Sequence, residues 1–271
     1  MAQKGKRIGA GGSALLADER RHILSPDSNF FICEAYKTLR TNTMFALAGQ
    51  DGCKAVVVTS SLQSEGKSIT ALNLAISFAE AENRVLLIDC DLRRPKLARL
   101  LRKSSRAGLS NLLLDPSLLV EAILPSGIER LDVILSGDIP PNPSELLGSA
   151  RMSALLAQLR EKYDYILLDT PPVNMVTDAV VLAPKADGVL FVVRAGLSER
   201  GPVSHAVEQL EYAQAKILGF VLDDVTTSSG SYGYGKYKRY GYGHSYGYGY
   251  GYGYSSRQKA PDGAPMGDGP P

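Results

Sequence analysis

The sequence predicts an α/β domain built on a doubly wound, mostly parallel sheet. Three observations predict it. Six short apolar runs, at residues 55–59, 85–89, 131–135, 165–169, 188–193 and 217–222, have the length and near-continuous hydrophobicity of strands buried on both faces. Helical segments separate them, at 68–81, through a mixed stretch from 95 to 124, and at 144–162, 177–183 and 201–213. Polar and acidic residues gather where several of the runs end, which is where open α/β sheets bind ligands. Strand–helix alternation places crossover helices on both faces of such a sheet.

The size and composition agree. The chain has 271 residues, 44% of them hydrophobic, enough for one large α/β domain with extensions. A net charge of +2 gives no global pull toward nucleic acid or an acidic partner. The three cysteines, Cys33, Cys53 and Cys90, show no metal-ligand spacing and fit a reducing compartment. His22, His205 and His244 form no cluster with carboxylates. No apolar run approaches the roughly 18–20 residues of a membrane span. The first residues carry Lys4, Lys6 and Arg7 without a sustained apolar stretch, unlike a secretory signal.

Residues 1–27 read as a flexible basic arm. A helix then runs from 30 to about 47, capped by Ser28 or Asn29. Phe31, Ala35 and Leu39 share one of its faces, and Glu34, Lys37 and Arg40 share another. That charged row is either a solvated face with local ion pairs or an interface.

The first strand leads into Ser60-Ser-Leu-Gln-Ser-Glu-Gly-Lys-Ser68. A strand, a polar loop and a helix N-terminus form a phosphate cradle, with backbone N–H groups and the helix dipole facing the anion. Lys67 adds a point charge and the Ser68 hydroxyl can ligate Mg²⁺. Ser61, Gln63, Ser64, Glu65, Gly66, Lys67, Ser68 and Ile69 are the candidate ATP-binding residues. The pattern G-x-x-x-x-G-K-[ST] is met except at its first position, where Ser61 replaces glycine.

The second strand ends in Asp89 and Asp91. Two neighbouring carboxylates are costly without a cation, and Mg²⁺ is the natural one. The alternative is that Asp89 caps the next helix and Asp91 is solvated. Arg93 and Arg94 follow, facing phosphate or solvent. Asp169 closes a third strand ahead of Pro171 and Pro172, as a carboxylate that holds a Mg²⁺-bound water requires. The set points to an ATP–Mg²⁺ site in a P-loop NTPase-type fold.

From residue 226 the composition shifts to Gly, Ser and Tyr. Ten of the fourteen tyrosines lie there: Tyr232, Tyr234, Tyr237, Tyr240, Tyr242, Tyr246, Tyr248, Tyr250, Tyr252 and Tyr254. Alternating glycine cannot bury a core, so residues 226–271 read as a disordered tail after a domain of residues 28–225. About 29 such residues span roughly 30 Å, against a domain radius of gyration of about 17 Å. The tail can therefore reach its own site or a neighbour's.

With these motifs the chain resembles the bacterial tyrosine autokinases of capsule and exopolysaccharide synthesis, related to the MinD/ParA ATPases. The resemblance rests on the P-loop without its first glycine, on Asp89, Asp91 and Arg93 as D-x-D-x-R, and on Asp169 to Pro172. It rests also on the stretch 137–147 and the tyrosine-rich tail. It implies that Lys67 and Ser68 hold phosphate and Mg²⁺, and that Asp89, Asp91 and Asp169 complete the metal and catalytic set. Ser68, Asp89 and Asp169 would hold the metal, and Asp91, with Asp89 as alternative, would orient or accept the tyrosine proton.

The resemblance further implies Asp223 near the adenine, in place of the family's usual Asn. It implies a ring-shaped homo-oligomer held through Glu34, Lys37 and Arg40, with Lys37 in place of the family's arginine. It implies a separate membrane activator of the polysaccharide co-polymerase type and a cognate tyrosine phosphatase. The expected location is the cytoplasm, at the inner face of the cell membrane through that partner. A MinD/ParA-like positioning ATPase and a non-enzymatic, self-associating protein are the competing readings.

Overall fold

The computed structural model describes residues 19–225. The first 18 residues and the tyrosine-rich tail lie outside the described residues, and with them the expectations of a disordered tail and of a flexible start. Helix α1 (Phe30–Ala46) is followed by β1 (Lys54–Ser60), α2 (Lys67–Glu80) and β2 (Val85–Asp89). Then come α3 (Leu97–Leu101), α4 (Leu109–Leu114), a 3₁₀ turn at Pro116–Leu118, α5 (Leu119–Ala122), β3 (Ile123–Ile128) and β4 (Leu131–Ile134). The rest is α6 (Pro143–Gly148), α7 (Ala150–Arg160), β5 (Tyr165–Asp169), α8 (Asp178–Leu182), a 3₁₀ turn at Ala183–Lys185, β6 (Gly188–Arg194), α9 (Arg200–Tyr212) and β7 (Ile217–Asp223).

The seven strands form one sheet in the order β3-β4-β2-β5-β1-β6-β7. All pairs are parallel except β3 with β4. Two apolar layers cover the sheet. One packs Val56, Val58, Leu87 and Leu167 against Leu72, Ala75 and Phe78 of α2. The other packs Val57, Ile88, Leu168 and Phe191 against Leu113, Leu156, Leu182 and Leu210. The uniformly apolar central strands are thus buried on both sides, as their sequences require.

Four expectations change. The mixed stretch expected over 95–124 breaks into short helices, and an unexpected strand, β3, begins at its end as an antiparallel edge strand. Pro125 lacks an N–H, and an edge tolerates this; the register shifts between Pro125 and Ile128, where Gly127 takes a φ of 96°. The helix expected over 144–162 is two helices, because Ser149 leaves helical geometry and its side chain caps α7 by accepting from Met152 N. Residues 19–27, expected within a flexible arm, are fixed: Leu24 is buried, its N–H donates to Asn73 of α2, and the Asn73 amide donates to the His22 carbonyl. In α1, capped by Asn29 as expected, Phe31 and Phe45 are 74% and 75% exposed. Of the expected row Leu39 packs inward, with Cys33, Tyr36 and, just past the helix, Leu47.

Candidate nucleotide site

The site stands on the three central strands. β2, β5 and β1 are neighbours, and Asp169 lies at the level of both Asp89 and Val58. The chain after β1 therefore turns directly over the ends of β2 and β5. Gly66 closes that turn with a φ of 89° and begins α2. A side chain there would be strained by the backbone and would overlap the Asp223 carboxylate, so only glycine fits. Lys67 and Ser68 follow as the first residues of α2, each 6% exposed.

Ser61 is fully buried, and its hydroxyl donates to the Glu65 carboxylate at 2.8 and 3.0 Å. Glu65 also accepts from Leu62 N at 2.6 Å and from the Ser198 hydroxyl. The carboxylate is a strut inside the loop, and the serine at the first-glycine position supplies one of its donors. Glu65→Gln would leave one acceptor oxygen for three donors and turn an amide N–H₂ against the rest. It is expected to lower the unfolding free energy by about 1–3 kcal/mol in urea denaturation.

The carboxylates differ in how they are satisfied. Asp89 is buried and accepts from Asp91 N at 3.2 Å and from Leu97 N at 3.1 Å, so it does cap α3. Asp91, also buried, accepts from Arg94 N at 2.9 Å. Asp169 is fully buried and neither oxygen has a hydrogen-bond partner. Burial pushes its acid up to about 6, against the Lys67 ammonium and the Ser68 hydroxyl. Burial also raises Asp89 well above the usual carboxylate range, reinforced by the Asp169 charge.

An orphaned buried carboxylate beside a hydroxyl fits a cation. Among the described residues no cluster of three or more His, Cys, Asp or Glu forms a complete metal site. Mg²⁺ takes one or two carboxylates and completes its shell with waters and phosphate oxygens, a demand that the Asp169 carboxylate beside the Ser68 hydroxyl suits.

Gln63 accepts from Arg94 at 3.0 Å, Ser64 is exposed with a φ of 66°, and Ile69 packs against the apolar layer under α2. Asp223 reaches Gly66 from the end of β7, half-buried and with its acid raised by that burial. Arg93 does not face the phosphate loop. It grips Asp178 through two hydrogen bonds of 2.9 and 3.0 Å, with Ser144 joining both. Since Asp178 is fully buried, Arg93 is its counter-ion and ties the Asp89–Asp91 turn to α6 and α8.

Glu34 and Lys37 pair with each other on the exposed face of α1 at 2.8 Å, while Arg40 turns inward and donates to the Ser77 carbonyl of α2 at 2.5 Å. The expected row of three is split. An open cavity of about 430 Å³, lined by Cys53, Arg84, Arg160 and Tyr165 among others, lies at the opposite ends of the strands and holds none of the candidate residues.

Residues 54–217 match the family described as an AAA domain. The tyrosine-protein kinase YwqD of Bacillus subtilis (strain 168) is 41% identical over 216 residues, 79% of this chain and 91% of that protein. The chain belongs to the bacterial tyrosine-protein kinases. Among solved structures of this kinase family, the kinase domain of Escherichia coli tyrosine kinase ETK aligns with a TM-score of 0.69 at 35% identity, over 80% of each chain. The chimerical protein CapA2B2 aligns with a TM-score of 0.68 at 37% identity, over 78% of this chain and 89% of that one. The septum site-determining protein MinD of Pyrococcus horikoshii OT3, complexed with Mg-ADP, shares the fold at a TM-score of 0.54 and 22% identity, over 63% and 70% of the two chains.

Reading this kinase chain as sequence missed Ser144, Asp178, Arg194 and Ser198. Each lies far along the chain from its partner in the site, 85 positions between Arg93 and Asp178. The Ser61–Glu65 pair, by contrast, is four residues apart.

Proposed function

We propose that the chain is an ATP-dependent protein-tyrosine autokinase that phosphorylates the tyrosine cluster of its own tail, between subunits, and so regulates exopolysaccharide or capsule synthesis and export. The observation that carries the reading is the unpartnered, fully buried Asp169 carboxylate beside Lys67 and Ser68, on the same level of the sheet as Asp89. Family membership and the ten tail tyrosines support the tail as the phosphate acceptor.

In this reading Lys67 and the loop N–H groups hold the β- and γ-phosphates. Ser68, Asp169 and Asp89 would hold Mg²⁺, which when bound would supply neutralisation of the phosphate charge. The tyrosine oxygen attacks the γ-phosphorus, a new P–O bond forms, and the bond to the ADP oxygen breaks. The phenolic proton, held with a pKa of about 10, passes to Asp91, with Asp89 as the alternative acceptor. Asp223, against Gly66, accepts from the adenine amino group.

A ring-type homo-oligomer would use the exposed Glu34–Lys37 face of α1, with Arg40 released from Ser77. The exposed aromatic residues of α1 support a protein partner, for which a membrane activator of the polysaccharide co-polymerase type is the family's candidate. That partner would hold the chain at the inner face of the cell membrane, and a tyrosine phosphatase would reverse the modification. The test is incubation with Mg²⁺-ATP followed by mapping of phosphotyrosine, with a chain cut at Thr227 as control. Several modified tyrosines beyond residue 231 are expected in the full chain. ATP hydrolysis without any modified tyrosine would replace this reading with a MinD-like switch ATPase.

A further inference from the structure

Six non-glycine described residues take positive φ. Two of them, Ser64 at 66° and Asp224 at 55°, are held by the same side chain. Arg194, the last residue of β6, donates from Nη1 to the Ser64 carbonyl at 2.9 Å. Its Nε and Nη2 donate to the Asp224 carboxylate at 3.1 and 2.9 Å. Ser64 belongs to the phosphate loop. Asp224 stands two residues before position 226, where the tyrosine-rich tail begins.

Left-handed backbone is unfavourable for a residue such as serine, so the Ser64 turn gains from the outside contact at its carbonyl, whereas aspartate tolerates this geometry at Asp224. The backbone N–H of Arg194 donates to Ser198, whose hydroxyl donates to Glu65 in the same loop. The Asp223 carbonyl accepts from Ala195 N at 2.9 Å, and the Asp223 carboxylate covers Gly66. The turn after β6 thus holds the phosphate loop from outside and, in the same contacts, the point where the chain leaves the domain.

We propose that Arg194 is a positioning residue for nucleotide binding: one guanidinium fixes the phosphate loop at Ser64 and, through Asp224, makes that fixation depend on the root of the tail. An exposed Arg–Asp pair alone contributes little. Here the pair orients the planar fork so that its third donor meets the Ser64 carbonyl, a geometry that lysine cannot reproduce. The loop N–H groups then face the phosphates before nucleotide arrives. A displacement of the tail root that withdraws Asp224 frees the fork and loosens the loop.

The inference rests on the nucleotide-site reading above, yet its test does not need kinase activity. Binding of Mg-ADP to the full chain is measured by calorimetry for wild type, Arg194→Gln, Arg194→Lys, Asp224→Asn and the Arg194→Gln/Asp224→Asn pair. Asparagine accepts left-handed φ readily, so Asp224→Asn keeps the fold while removing the charge. Arg194→Gln is expected to raise Kd about tenfold and Asp224→Asn about threefold, the scale of one lost backbone restraint. Arg194→Lys is expected to behave like the glutamine variant. The double variant is expected to bind no more weakly than Arg194→Gln, because Asp224 acts through Arg194. Unchanged Kd in Arg194→Gln, full rescue by lysine, or additive losses in the pair would each overturn the proposal. If wild type binds Mg-ADP yet forms no phosphotyrosine, the kinase reading fails while the positioning role is still measured.

Discussion

Replacing Lys67 by methionine is expected to cut tail phosphorylation by at least about 100-fold, the scale for losing one donor aimed at transition-state charge. The unfolding temperature of the nucleotide-free protein should change little, because the helix dipole that disfavours this cation and the Asp169 carboxylate that favours it oppose each other. Lys67 is 6% exposed and opens α2, where the positive end of the helix dipole disfavours a cation. A phosphate in the cradle before it adds a second favourable anion beside Asp169. Methionine keeps the length and apolar stem while removing the charge. The opposed outcomes, a stable fold and an idle enzyme, separate a phosphate ligand from a structural lysine. Time courses of phosphotyrosine formation, read beside a thermal melt, measure both. A methionine variant that phosphorylates at the wild-type rate would remove Lys67 from the site.

Asp169→Asn is expected to abolish Mg²⁺-dependent phosphorylation while stabilising the nucleotide-free protein. The acid is pushed up to about 6 from an ordinary 3.8 by complete burial. Between those pH values the folded chain holds a proton that the unfolded chain has released. Stability therefore falls as pH rises through that window and levels off above about 6. The gap, at about 1.36 kcal/mol per pH unit, amounts to roughly 3 kcal/mol. The asparagine variant lacks this penalty. Its gain should be about 3 kcal/mol at pH 7 and vanish near pH 4, as read by urea unfolding at both. The raised acid of Asp89 adds a slope of the same sign to wild type. Equal stabilities at pH 7 would mean that Asp169 is not an unpaired buried charge.

The strands that carry the chemistry were legible because their apolar runs end abruptly in acids. β2 and β5 were read to the residue, and β1 and β7 to within one residue at each end. Strand β3 was not legible, since Pro125 and Gly127 interrupt its apolar run and only an edge position accommodates them. The site divides in the same way. Lys67, Ser68, Asp89 and Asp169 announce themselves through local spacing. The groups that hold them still, namely Asp178 on Arg93, Ser198 on Glu65 and Arg194 on Ser64, are joined by folding alone. The serine at the first-glycine position looked like an omission in the sequence; in the fold its hydroxyl is one of the strut's donors.

The three strands that carry Asp89, Asp169 and the phosphate loop are the middle three of the seven. Each is paired on both sides, and no residue from 55 to 61 or from 85 to 92 is exposed. Amides in such a position exchange with solvent only when the whole domain opens. The strand ends that carry Asp89 and Asp169 therefore share the fate of the global fold. Anything that turns this molecule on or off has to act at its margins: on α1, on the turn after β6, or where the chain departs beyond β7.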